Sequence, residues 1–191
     1  MRLKITYKLL LATMLTAGTV SAAELTQLNP AKSQITFVSK QMGVPVDGRF
    51  KKFDAKITVD PARPEAGKAQ FEIDLASIDT GSDDADSEVK GKSWFNAATF
   101  PKATFVSSQV RPLGNNRYEA LGKLTIKGTT RDVVAPFSIK QEAGGALFDG
   151  SFVLNRLQFK IGEGAWADTA TVADEVQVKF KLFVTGASST R

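Results

Sequence analysis

The chain has 191 residues with no histidine and no cysteine, so it lacks the commonest general base and metal ligand among side chains and forms no disulfides. Its net charge of +5 falls to about +2 when the first 23 residues are set aside, because Arg2, Lys4 and Lys8 lie there. A nearly neutral chain of this kind is not expected to bind nucleic acid.

The first 23 residues have the layout of a secretory signal peptide. The three cations precede an apolar run over residues 9–20, and small residues ending in Ala22 and Ala23 follow it. The apolar run has about 12 residues, whereas a helix that spans a bilayer needs about 20. We therefore expect cleavage near Ala22 or Ala23, a periplasmic or secreted protein, and one domain over residues 24–191.

Alternation of apolar and polar residues dominates the rest of the chain, as in strands that have one apolar face. The predicted strands are residues 34–39, 53–59, 71–75, 103–111, 117–127, 133–140, 146–156 and 176–184. Short turns separate them, and the segments around Asn115-Asn116 and Gly144-Gly145 are typical of tight hairpins. The sheet is therefore predicted to be antiparallel and to close into a barrel or a sandwich.

Two segments break the strand pattern. Residues 82–92 are polar and predict a short helix, with Ser82 as its N-cap and three aspartates in its first turn. Residues 161–174 contain two glycines and Trp166, and they predict a loop over one end of the sheet.

Two clusters resemble chemical sites but have simpler explanations. The acidic residues between Asp79 and Glu88 suggest calcium, but their spacing does not match an EF-hand loop, and a solvated helix start explains them. Ser87 and Lys90 match S-x-x-K, but the companion motifs of the serine acyltransferases are missing. We therefore expect no catalytic residues, no metal and no enzymatic activity.

Aromatic side chains are concentrated in the predicted strands, and the chain has 13 phenylalanines and two tryptophans. A barrel of about eight strands is just wide enough either to be filled by its own side chains or to hold one ligand. Composition alone leaves these alternatives open. The candidates for a lumen lining are Phe37, Phe53, Phe71, Ile73, Phe105, Phe137, Ile139, Phe152, Leu154, Val178 and Phe180.

Four motifs, in order and at similar spacing, resemble those of the YceI-like family of exported lipid-binding proteins. They are GRFKKFDAKI at 48–57, IDLASIDT at 73–80, WFN with FPKATF at 94–105, and GKLTIKGTTR at 122–131. The last is the most specific, since it resembles the family pattern G-x-L-T-I-x-G-x-T-[RK]. The resemblance runs from about residue 33 to residue 184. The chain departs from the family pattern at Ala55, which replaces a glycine, and at Glu88-Val89, which replace a His-Leu pair.

The resemblance implies an all-β, lipocalin-like antiparallel barrel of about eight strands with one short helix. It also implies that the lumen binds a polyisoprenoid or a similar amphiphilic lipid. Candidates to meet the polar head group are Arg156, Lys160 and Trp166, near one mouth. Two alternatives remain open at this point: a carrier of a prenyl quinone that serves a membrane redox system, and a ligand-free barrel that binds a partner. Transient contact with a membrane or a membrane protein is a further expectation.

Overall fold

The structure, a computed structural model, describes residues 24–186. The predicted signal peptide and its cleavage site lie outside these residues. The described residues fold into eleven strands and one α-helix. The strands are β1 (Leu25–Leu28), β2 (Gln34–Gln41), β3 (Val44–Phe50), β4 (Phe53–Thr58), β5 (Lys68–Asp74), β6 (Ile78–Asp79), β7 (Lys102–Gly114), β8 (Arg117–Ile126), β9 (Thr129–Glu142), β10 (Gly145–Asn155) and β11 (Glu175–Gly186), and the helix is α1 (Asp83–Lys90).

The strands form one antiparallel sheet in the order β4-β5-β7-β8-β9-β10-β11-β2-β3-β6. Strand β3 leads through Lys51 and Lys52 into β4, and the pairing of β3 with β6 continues that of β4 with β5. The two ends of the order therefore meet, and the sheet curls around an interior. Strand β1 pairs with β11, and Leu25 bridges to Val59 beyond the end of β4. The predicted all-β antiparallel barrel with one short helix is confirmed.

Two-residue turns with left-handed backbone set the register of the long hairpins. Asn115 and Asn116 join β7 to β8 with φ of 52° and 56°, and Lys127 and Gly128 join β8 to β9 with φ of 48° and 73°. Turns with positive φ at both positions twist in the same sense as the flanking strands, so they favour close pairing. The ten-residue ladder from Arg117↔Ser138 to Ile126↔Thr129 follows directly from the second turn.

The structure has three strands that the alternation pattern did not predict, namely β1, β3 and β6. Strand β3 contains Pro45 and Gly48, which disfavour strand assignment from sequence. Pro45 is tolerated because this half of β3 pairs only with β2, and the pairing with β6 is confined to Arg49 and Phe50. Strand β6 has only two residues, too few for any periodicity to appear.

In the part of the chain that the structure describes, buried apolar side chains form two clusters. One gathers around Leu182 and Val184 of β11 and includes Leu25, Ile57 and Ala146. The other gathers around Leu75, Leu124 and Phe159 and lies nearer the 3₁₀ turn Arg156–Phe159. Val178 of β11 packs against both clusters. Between residues 24 and 186, no helix is long and apolar enough to cross a membrane.

Candidate functional site

The barrel encloses a cavity of about 770 Å³. Its wall is built mainly from apolar side chains of successive strands, because every second residue of a strand points inward. Known ligand sites have volumes of about 300–1,000 Å³ and mostly apolar linings with a few polar groups. The cavity therefore has the size and lining of a site for a ligand that is largely apolar.

The structure places ten of the eleven lumen candidates on the cavity wall. These ten are Phe37, Phe71, Ile73, Phe105, Phe137, Ile139, Phe152, Leu154, Val178 and Phe180. The eleventh, Phe53, is not among the lining residues, and it packs against the cluster around Leu182 and Val184, as several of the ten also do. The part that these side chains play in ligand binding stays a prediction.

Two glycines make room for aromatic rings on the wall. A Cβ atom on Gly48 would lie 2.2 Å from Cζ of Phe37, so the ring lies directly against the backbone of β3. A Cβ atom on Gly150 would lie 2.5 Å from Cζ of Phe180 and 2.4 Å from the carbonyl oxygen of Pro136. These glycines contribute to the shape of the cavity by lacking a side chain, which alternation of apolar residues does not signal.

Sequence reasoning also missed several lining residues. Phe50 lies on the unpredicted strand β3, and Trp94 and Phe95 lie in the segment after α1. Trp94 and Trp166 have ring centroids 5.5 Å apart, and Phe50 and Phe95 have centroids 6.2 Å apart. The WFN motif at 94–96 was the available signal, because it places two aromatic residues outside any strand.

Several of the polar side chains that line the cavity lie at one end of it, and two others, Lys68 and Ser107, lie on β5 and β7. Ser39 and Gln41 of β2 line that end together with Thr80, Ser82 and Glu88, which belong to α1 and the segment before it. Trp166, a predicted head-group residue, also lines the cavity, and its Nε1–H donates to a carboxylate oxygen of Glu88 at 2.8 Å. The loop over residues 161–174 and α1 are thereby joined across this end, which we call the polar mouth.

Helix α1 is fixed to the barrel by a buried carboxylate. Asp86 accepts hydrogen bonds from the backbone N–H of Thr80 at 2.8 Å and from its hydroxyl at 2.7 Å. Burial acts to raise the pKa of Asp86, but the two hydrogen bonds from Thr80 outweigh it, so the pKa lies below the ordinary value. Ser82 caps the helix by accepting from the N–H of Ala85, as the sequence predicted.

Arg156, another predicted head-group residue, lines the cavity but is only 1% exposed. Its guanidinium donates to five backbone carbonyls at 2.7–3.1 Å, and all five N–H groups are thereby used. The acceptors are the carbonyl oxygens of Ile161, Gly162, Trp166, Val172 and Ala173. Burial lowers the pKa of Arg156, and Asp174 partly offsets this. The side chain therefore holds the loop in place beside the polar mouth.

Lys160, the third head-group candidate, is exposed and is not part of the cavity wall. Its carbonyl oxygen accepts a hydrogen bond from the buried ammonium of Lys127, which also donates to the carbonyl of Lys92 and to Glu163. The hydrogen bond from Lys127 lowers the pKa of Glu163. Lys127 thus ties the start of the loop to the segment after α1.

The acidic residues that suggested calcium are distributed along α1 and the turn before it. Within the described range 24–186, no group of three or more acidic side chains is arranged to hold a metal ion. Asp79 instead pairs with Arg49 at 2.8 Å, and Asp86 is bonded to Thr80.

Residues 27–184 match the YceI-like domain family. The chain belongs to this family. Relatives of this YceI-like protein include a UPF0312 protein from Yersinia pestis (strain Pestoides F), 36% identical over 124 residues, which are 64% of this chain and 64% of the relative. A UPF0312 protein from Pseudomonas savastanoi pv. phaseolicola is 33% identical over 131 residues, 65% of this chain and 68% of the relative. The alignment thus spans just under two thirds of the length of the Yersinia relatives.

Two solved structures place the YceI-like barrel among known folds. BcnA from Burkholderia cenocepacia is 48% identical with a TM-score of 0.81, covering 83% of this chain and 100% of that one. A polyisoprenoid binding domain from Saccharophagus degradans is 19% identical with a TM-score of 0.68, covering 86% of this chain and 98% of that one. The second likeness is one of fold. The predicted family membership is confirmed.

Proposed function

We propose that this YceI-like protein is exported and holds a polyisoprenoid, or a similar amphiphilic lipid, in its barrel without transforming it chemically. The observation that carries the proposal is the cavity of about 770 Å³ with its continuous wall of aromatic and aliphatic side chains. A fold shared with a domain named for polyisoprenoid binding supports the same ligand class.

The driving force is removal of the lipid tail from water. Burial of apolar surface contributes about 25 cal/mol per Å², and this contribution needs no particular hydrogen bond. Aromatic rings such as Phe71 and Phe105, 6.3 Å apart on neighbouring strands, provide a wall that a flexible branched chain contacts along its length. The proposed affinity therefore depends on how much of the tail the cavity encloses.

The polar head is proposed to lie at the polar mouth. Ser39, Gln41 and Ser82 line the cavity there with side chains that can donate and accept hydrogen bonds. Arg156 has no free N–H to offer, because five carbonyls occupy its donors, and Trp166 donates to Glu88. These two residues stabilise the loop beside the polar mouth. We propose that the neighbouring serine and glutamine side chains recognise the head group.

The first experiment identifies the ligand directly. Lipids extracted from the purified protein are analysed by mass spectrometry, and we expect a prenyl chain at a stoichiometry near one per protein. A quinone head group in the extract would identify the protein as a quinone carrier. An extract free of stoichiometric lipid, from protein that also fails to take up added polyprenyl lipid, would contradict the proposal.

A pair of variants on β9 then tests the lumen as the binding site. Ala135 is 6% exposed and lines the cavity, whereas the adjacent Val134 is 48% exposed and is not on the cavity wall. We expect Ala135→Trp to fill part of the cavity and weaken lipid binding at least about tenfold, while the matched Val134→Trp binds as the wild type does. Equal binding by both variants, with both barrels folded, would place the lipid outside the lumen.

A further inference from the structure

The turn between β2 and β3 exposes apolar side chains at its tip. Met42 is 77% exposed and Val44 is 63% exposed, and among residues 24–186 these are the two most exposed large hydrophobic side chains. The other four, Val106, Leu113, Val134 and Val153, lie on the long strands β7, β9 and β10 and not in a turn. Single exposed apolar residues are ordinary, but two on one turn, followed by the exposed Pro45, form a local apolar point.

The backbone conformation of the turn keeps the side chains of Met42 and Val44 exposed to solvent. Met42 and Gly43 have φ of 51° and 81°, the left-handed pair of a tight hairpin turn, and Gln41 pairs with Val44 directly across it. A two-residue turn of this kind is too short to fold back and bury its side chains against the barrel. Along the chain, the charged residues nearest to Val44 are Lys40 and Asp47, and Lys40 pairs with Pro45 across the hairpin.

The tip is fixed at the polar mouth of the cavity. The N–H of Met42 donates to the carbonyl of Thr171 at 2.8 Å, and Gln41 bridges to Val172 in the loop over residues 161–174. Gln41, Val46 and Val172 all line the cavity. A surface that receives Met42 and Val44 therefore lies directly beside the polar mouth of the cavity.

The charges around this mouth indicate which kind of lipid surface can receive the tip. Exposed charges of both signs surround this mouth: Asp83, Asp84 and Glu88 of α1 and Asp168 of the loop are acidic, and Lys40 of β2 and Lys160 before the loop are basic. The mouth therefore does not present the single-sign basic cluster that attracts anionic lipids. Attraction through the apolar tip alone suits the headgroup and acyl boundary of a zwitterionic bilayer.

We propose that the β2–β3 turn inserts Met42 and Val44 into the surface of a phospholipid bilayer and thereby sets the mouth of the cavity against it. Transfer of a lipid between bilayer and lumen would then not require the tail to cross water. The docking stands on the exposed tip itself, and only the transfer step rests on the proposed lipid-binding function.

The test is co-flotation of the protein with phosphatidylcholine vesicles. We compare Met42→Ser/Val44→Ser with the control Val106→Ser/Val153→Ser, which removes two exposed valines from β7 and β10 and none from the β2–β3 turn. We expect the tip variant to partition at least about tenfold more weakly than wild type, a change of about 1.4 kcal/mol, and the control to partition as wild type does. We also expect wild-type partitioning to persist when salt rises from about 0.1 M to about 1 M, which shortens the Debye length from about 10 Å to about 3 Å.

Three results would overturn the docking proposal: no partitioning of the wild type, an equal loss in the tip and control variants, or loss of wild-type partitioning at high salt. Binding of a polyprenyl lipid in detergent solution is measured on the same proteins. Because Met42 and Val44 are not on the cavity wall, both variants should bind it as wild type does. A failure of vesicle partitioning alone is thus distinguishable from a failure of lipid binding.

Discussion

Replacing Arg156 tests whether a buried cation, rather than a layer of apolar contacts, holds the loop beside the cavity. The side chain is 1% exposed, and its five N–H groups donate to carbonyls that all lie between residues 161 and 173. Arg156→Met keeps an unbranched apolar stem, which ends near the position of Nε, and removes every donor at once. The loop carbonyls then have no partner unless water reaches them.

The magnitude follows from the three bonds that are fully buried, to the carbonyls of Ile161, Gly162 and Val172. A buried acceptor without a partner costs about 1–3 kcal/mol, so the three together cost about 3–9 kcal/mol. Part of this is offset, because the guanidinium no longer has to be desolvated, and that penalty is several kcal/mol. Opening of the loop also lets the carbonyls reach water. We expect a net decrease of about 2–4 kcal/mol in the free energy of unfolding.

Urea unfolding measures the free energy, and amide hydrogen exchange locates the change. We expect faster exchange at the amides of Gly162, Glu163 and Ala173, whose bonds hold the loop to Ser93 and Lys40, with little change in the β8–β9 ladder. Arg156→Lys keeps the charge but has three donors at most, so it should fall between wild type and Arg156→Met. The control is Lys160→Met, an exposed cation four residues away, which should change stability by less than about 0.5 kcal/mol.

A loss below about 0.5 kcal/mol for Arg156→Met, with unchanged exchange in the loop, would refute this reasoning. It would mean that the five carbonyls are satisfied as well by water and that the loop is held by its other contacts. Equal losses of stability in Arg156→Lys and Arg156→Met would show that the number of hydrogen-bond donors at this position does not determine the stability of the loop.

Two further predictions concern the helix and the N-terminus. The pKa of Asp86 is lower in the folded protein than its ordinary value of 3.8, so its contribution to stability is complete above that value and is lost as pH falls through the folded pKa. When thermal stability is measured at decreasing pH, the stability advantage of wild type over Asp86→Asn should therefore shrink. An advantage that grew instead would contradict the role of Asp86. The signal-peptide interpretation of residues 1–23 predicts that N-terminal sequencing of the exported protein starts near Ala23 or Glu24, and a mature chain starting at Met1 would contradict it.

Alternation along the chain was sufficient to predict most of the sheet. A strand with one apolar face has a period of two, and β5, β8, β9, β10 and β11 keep that period because each has one side towards the interior. The Asn115-Asn116 turn was predictable for a related reason, since few residues adopt positive φ readily. Local rules fix these features, so the sequence alone determined them.

Strand β3 shows where local rules fail. Its Pro45 and Gly48 argue against a strand. Pro45 is tolerated because this half of β3 pairs on one side only and needs no N–H on the other. Gly48 is accommodated because the ring of Phe37 occupies the space that a side chain would fill. Neither neighbour is identifiable until β2 and β3 are paired. Phe53 shows the opposite case: its residue type and strand position suggested the lumen, but it is not among the residues of the cavity wall.

The polar mouth is the part that only tertiary structure decided. Arg156 looked like a rim cation because its sequence neighbours do not reveal that five carbonyls, 5 to 17 residues further along, turn towards it. The bond from Trp166 to Glu88 joins residues 78 positions apart. Composition, periodicity and the layout of residues 1–23 predicted an exported, aromatic-rich antiparallel sheet that closes into a barrel or a sandwich, and the family resemblance implied the barrel. The closure of that barrel determined which polar groups are consumed in holding the loop and which remain to face a ligand, because hydrogen bonds between distant segments exist only once the sheet has curled.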